Sequence, residues 1–125
     1  YAYIPLMLSA QCVRKNLFGC TGKYETAYLK DRYNSEFPVK CSCDPWGKNI
    51  SEKAKYCYNI IYNSIPYGLP GEKDQLNLHS LRLAFTIEEP EKAKAILKEF
   101  RTVYQKNGKP SGRRYTKGHF KRGAE

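Results

Sequence analysis

The chain has 125 residues, 41% of them hydrophobic, with 22 Lys+Arg against 12 Asp+Glu, a net charge of +10 and a mean hydropathy of −0.70. That length holds one domain at most. No apolar run is long enough to cross a membrane and no secretory signal is visible, which argues against a membrane-embedded or exported protein and for a cytoplasmic one.

Tyr3 to Ser9 reads as the first strand. Ile4, Leu6, Met7 and Leu8 form a nearly unbroken apolar run, as in a strand covered on both faces of a parallel sheet. Pro5 suits a strand start or a sheet edge. A chain that opens in mid-strand without Met looks like a piece of something larger. Residues 16–24 carry two glycines among polar residues and read as a loop. Tyr28 to Tyr33 and Phe37 to Lys40 read as two short strands joined at Asn34–Ser35, a hairpin. Residues 44–55, DPWGKNISEKAK, read as an inserted loop, with a helical turn over Ser51 to Lys55. Tyr56 to Ser64, YCYNIIYNS, is rich in β-branched and aromatic residues and predicts a strand.

Gln75 to Ser80 is read as a short helix and Leu81 to Thr86 as a strand with Leu81, Leu83 and Phe85 on one side. The clearest element follows. Pro90 suits a first helical turn, and Glu88, Glu89 and Glu91 favour a helix N-terminus. Ala93, Ile96, Leu97, Phe100, Val103 and Tyr104 recur at helical spacing, and Lys106 with Gly108 marks the end. Strand, acidic turn and amphipathic helix make half of a βαβ unit. From Asn107 onward the chain is Gly-rich, basic and without periodicity. Residues 1–108 therefore form the structured part and residues 109–125 an irregular basic tail. From Arg101 to Glu125 eight basic residues stand against one acid, a density that suits phosphate, although a merely solvated end is the plainer reading.

All five cysteines lie between Cys12 and Cys57: Cys12, Cys20, Cys41, Cys43 and Cys57. Such bunching points to a shared partner. The spacing is neither the paired pattern of a zinc ribbon nor that of a ferredoxin. Four thiolates gathered by a fold, with one to spare, suit an iron–sulfur cluster or a structural zinc. The odd number and the absence of a signal favour reduced thiols over disulfides. His79 and His119 are the two histidines. Nothing in the sequence sets either beside a reactive thiol, and neither an H-E-x-x-H motif nor a serine elbow is present.

Read in order, YIPLMLSAQC, FGC, LKDRY with FPV, CYNIIYNS, LRLAFTIEE and KGHFKRG resemble the collagenase-like peptidase family U-thirty-two, in particular its longer bacterial members. The resemblance implies an α/β fold, the C-terminal part of a TIM-like barrel with a cysteine-bearing loop insertion. The earlier strands would belong to a missing N-terminal part, and open strand edges would then favour marginal stability or association. It implies a [4Fe–4S] cluster held by Cys12, Cys20, Cys57 and one of Cys41 and Cys43. The residues between CSC and CYN replace a shorter connection in relatives, which leaves those last two open. Relatives act in oxygen-independent hydroxylation of tRNA or rRNA bases, others in quinone hydroxylation, and some are described as collagenases. The leading expectation is an iron–sulfur enzyme acting on RNA. The alternatives are a peptidase with a protein substrate and a zinc-stabilised nucleic-acid-binding module. Asp31, Arg32 and His119 match family positions and become candidate substrate residues. An arginine at a strand end suits a carboxylate or phosphate, although a local Asp31–Arg32 pair holding the hairpin is an equal alternative. On the RNA reading Arg113, Arg114, Lys121 and Arg122 would contact the strand.

Overall fold

The structure, a computed structural model, describes residues 1–19, 22–42 and 57–120. It is mixed α/β and divides into two units, Ile4–Ser64 and a second formed by Tyr1–Tyr3 with Ile65–Glu125. The loop read over residues 44–55 lies outside the described residues, as do Cys20, Cys43, Lys121 and Arg122.

The first unit is a four-stranded sheet. Its strands are β1 (Pro5–Ser9), β2 (Glu25–Lys30), β3 (Glu36–Ser42) and β4 (Tyr58–Tyr62), with the short helix α1 (Val13–Phe18) between β1 and β2. The order is β1-β4-β3-β2 and every pairing is antiparallel. The hairpin read from the sequence is present as β2–β3. Asn34 takes φ 63° at its turn, a conformation that asparagine tolerates better than most residues. The strand expected over Tyr56 to Ser64 is β4.

Two expectations for this unit are corrected. The apolar run of β1 does not lie inside a parallel sheet. It is an antiparallel edge strand whose Leu6, Met7 and Leu8 are 55%, 56% and 70% exposed. Pro5 at its first position fits that edge, where a missing N–H breaks no ladder. The loop expected over residues 16–24 begins as helix, because Cys12 caps α1 before Gly19 takes φ 87° and stops it. Along β2 burial alternates, so Glu25, Ala27 and Leu29 share the more buried face. Register sets Ala27 opposite Val39 and Glu25 opposite Cys41, and then Val39 opposite Ile61 and Cys41 opposite Asn59. One face thus carries the fully buried Val39, Cys41 and Asn59.

The second unit is built on α2 (Pro90–Lys106), whose Ile96, Glu99, Phe100 and Val103 are buried. Tyr1, Ile96 and Phe100 make its core, with Leu83, Tyr104 and Tyr115 packed against them. The ring of Tyr104 stacks on Phe100 at 6.1 Å, and its hydroxyl donates to the Leu69 carbonyl at 2.6 Å. The helix ends at Lys106, as Lys106 and Gly108 implied, with Asn107 in the left-handed region as its cap and the Gly108 N–H returning to the Thr102 carbonyl. The helix expected over Gln75 to Ser80 is instead a 3-10 helix at Pro70–Gln75. The strand expected over Leu81 to Thr86 is reduced to one bridge, Ala84 with Ala2.

Residues 109–120 lack regular structure, as their composition implies, yet they are tied down. Glu99, with only 3% of its side chain exposed, accepts from the Ser111 N–H at 3.0 Å and the Tyr115 hydroxyl at 2.9 Å, and pairs with Arg113 at 3.2 Å. Buried Glu72 pairs with Lys117. Buried carboxylates need such partners to remain charged.

Candidate metal centre

The end of the sheet that carries Cys41 and Asn59 also holds the start of α1. Cys12 occupies the cap position, where a side-chain acceptor satisfies a helix amide that has no intrahelical partner. The Lys15 N–H donates to its Sγ at 3.4 Å. Asn59 is the pin that brings this cap to the sheet. Its side-chain amide donates to the Gln11 carbonyl at 3.0 Å, and its Oδ1 accepts from the Val13 N–H at 3.4 Å and from the Cys41 thiol at 3.1 Å. A buried amide must be satisfied, so these bonds fix the relative placement of Gln11, Val13 and Cys41. The Arg14–Glu25 pair at 3.3 Å adds a tie from α1 to β2.

The outcome is two buried sulfurs side by side. Burial pushes the Cys41 thiol up; the adjoining Cys12 adds to this, while the Arg14 N–H pointing at Cys41 works against it. Of the backbone amides at the start of α1, that of Lys15 donates to the Cys12 sulfur, while that of Arg14 acts only to oppose the upward push on the Cys41 thiol. Amide donors stabilise a thiolate, and a bound cation would remove the remaining burial cost by favouring the deprotonated form. In donor chemistry the pair fits iron or zinc, both of which take sulfur ligands.

Cys57 is half-buried and stands immediately before β4, two residues from Asn59. Cys20 follows α1 by two positions in the sequence and Cys43 follows Cys41 by two. Both lie outside the described residues. Among the described residues no three Cys, His, Asp or Glu side chains form a metal-sized group, while Cys12, Cys41 and Cys57 are free of disulfides.

The remaining sequence candidates lie elsewhere. Asp31 closes the β2–β3 turn, with Oδ1 accepting from the Tyr33 N–H at 2.8 Å and the Ser35 N–H at 2.9 Å. Arg32 does not pair with Asp31 but lies over the Tyr33 ring, 4.8 Å from its centroid. His79 and His119 are both exposed. Arg113 and Arg114 flank a cavity beside α2. Glu88, read as a helix-dipole residue, instead accepts from the Tyr1 hydroxyl and the Thr86 N–H, both at 2.6 Å, and from the Ile87 N–H at 3.1 Å. Burial opposes its charge, but these bonds outweigh that and hold the carboxyl below its usual range. Glu89 occupies the α2 cap without a side-chain capping bond.

Sequence reasoning missed Asn59 and Glu99. The signal for Asn59 was present: a polar residue at the centre of YCYNIIYNS must find buried partners if the run is a strand. No family model matches this chain, and neither does a curated protein or a solved structure.

Proposed function

We propose that this chain is the cysteine-bearing segment of an iron–sulfur enzyme of the U-thirty-two kind, part of a TIM-like barrel, that hydroxylates RNA bases without oxygen. The observation that supports the reading best is the burial of Cys12 and Cys41 at one end of the sheet, with the Lys15 amide on the Cys12 sulfur and Asn59 on the Cys41 thiol. Cys12, Cys20, Cys57 and one of Cys41 and Cys43 hold the cluster. When bound, the cluster supplies one-electron chemistry. The chain's own residues prepare for it. Asn59 fixes where Cys12 and Cys41 stand, and the Lys15 amide lowers the cost of a thiolate at Cys12. The basic segment after α2 binds the RNA phosphates. His79 and His119 are both exposed, and the reading gives neither a nucleophilic role.

The experiment is anaerobic reconstitution with iron and sulfide, followed by visible spectroscopy and metal analysis. The wild type is expected to show the broad brown absorbance of a cluster. Cys41→Ser and Cys43→Ser together decide between the two candidate ligands, since only the true ligand's variant loses most of that absorbance. Stoichiometric zinc with no iron would instead select the nucleic-acid-binding module. The RNA part is checked by nucleoside mass spectrometry of RNA from cells lacking the gene. One hydroxylated nucleoside should disappear, and unchanged RNA alongside lost gelatin cleavage would select the peptidase.

A further inference from the structure

Beside α2 lies a cavity of about 220 Å³ whose walls and rim are of two different kinds. Tyr3, Ile96 and Tyr115 supply apolar and aromatic surface, and Lys92, Arg113 and Arg114 supply positive charge. The three cations are not equivalent. Arg113 is neutralised by buried Glu99 at 3.2 Å, and the same carboxylate holds the Tyr115 hydroxyl at 2.9 Å. One anchor therefore sets both a wall and a rim residue in place. Lys92 rests on Tyr3, 5.4 Å from the ring centroid and 3.3 Å from its hydroxyl. Among the described residues no carboxylate forms an ion pair with Lys92 or Arg114. The rim is thus left with two uncompensated charges over a cavity with tyrosine in its wall.

A bare inorganic anion would leave the aromatic wall unused. A site that encloses a whole drug-sized ligand generally has roughly 300–1,000 Å³, so a cavity of about 220 Å³ has room for a flat ring system such as a base, with the rest of the ligand at the rim. A single nucleotide unit matches both features, since a base stacks on aromatic and apolar surface while its phosphate meets lysine and arginine. We infer that this cavity binds one nucleotide unit, its base against the Tyr115 ring and its phosphate at Lys92 and Arg114. The inference rests on the RNA reading above and gives it a specific contact point. The same chemistry would also accept a free nucleotide.

The test is fluorescence anisotropy of a short labelled single-stranded RNA titrated with the 125-residue chain. The variants are Lys92→Ala/Arg114→Ala, Tyr115→Phe, Tyr115→Ala, and Lys98→Ala as a single-charge control on another face of α2. The double variant is expected to weaken binding by about tenfold or more and to lower the salt slope by about one. Lys98→Ala should change it by less than about twofold. Tyr115→Phe keeps the ring and should bind as the wild type if it folds, whereas Tyr115→Ala should lose binding. Thermal unfolding of each variant separates lost binding from lost structure. Competition by AMP as effective as by RNA identifies a free nucleotide as the ligand, and competition by RNA alone identifies a nucleotide within a strand. Equal losses in Lys98→Ala and the double variant would overturn the inference in favour of diffuse charge. So would competition by inorganic phosphate as strong as that by AMP. The same variants are reconstituted with iron. Normal cluster formation with unchanged RNA binding would sink the cavity and leave the metal reading standing, and RNA binding through the cavity without iron would do the reverse.

Discussion

The two units solve one problem with opposite chemistry. Each has an irregular segment that must be held against a regular element, and each does so through a buried polar side chain. In the sheet unit the anchor is neutral. Asn59, wholly buried, bonds to Gln11, Val13 and the Cys41 thiol. In the helix unit the anchor is charged, as Glu99 holds Ser111, Arg113 and Tyr115 and Glu72 holds Lys117. A neutral anchor leaves the adjoining sulfurs free to change charge when a cation binds. A charged anchor fixes cations in place and so shapes a surface for anions. On the proposed reading the difference would suit the sheet unit to thiol and metal chemistry and the helix unit to polyanions.

Replacing each anchor should give the largest effects and should separate the units. Glu99→Ala leaves Arg113, the Ser111 N–H and Tyr115 without their shared acceptor, and Asn59→Leu strands the Val13 N–H and the Gln11 carbonyl. Each is expected to cost about 1–3 kcal/mol, measured by denaturant unfolding. High salt should reduce the gap between Glu99→Ala and wild type, because Arg113 is partly exposed. It should leave the Asn59→Leu gap unchanged. Similar salt responses in both would erase the distinction.

A smaller effect concerns acid. The Glu88 carboxyl is held below its usual range because hydrogen bonds to the charged form outweigh burial. Its stabilisation is therefore complete above the ordinary carboxylate range and is lost as pH falls through the depressed folded value. Glu88→Gln should lower stability at neutral pH and flatten the decline below about pH 4. Thermal unfolding across pH checks this, and parallel curves for variant and wild type would contradict it.

The elements most legible in the sequence were those whose pattern is local. The spacing of Ile96, Phe100 and Val103 specified α2, and Asn34 with its flanking runs specified the β2–β3 hairpin. The run in β1 misled because apolar continuity reports an apolar strand, not which neighbours cover it, and here the strand lies at an edge. The helix α1 was hidden because its cap is a cysteine rather than the usual serine, threonine or aspartate. In the candidate site the bunching of thiols was plain, but the pairing of Cys12 with Cys41 depends on Asn59, which spacing alone does not reveal. Glu99 was hidden for a similar reason, since a glutamate on a helix ordinarily reads as a solvent-facing charge.

The most direct test of the metal centre is X-ray absorption at the iron edge of the reconstituted protein, compared between wild type and a Cys12→Ser/Cys41→Ser variant. The wild type should show a sulfur-only first shell with iron neighbours beyond it, and the double variant should retain little bound iron. A double variant with the same iron content and the same sulfur shell as the wild type would contradict the proposed cluster, which needs Cys12 whichever of Cys41 and Cys43 is its fourth ligand.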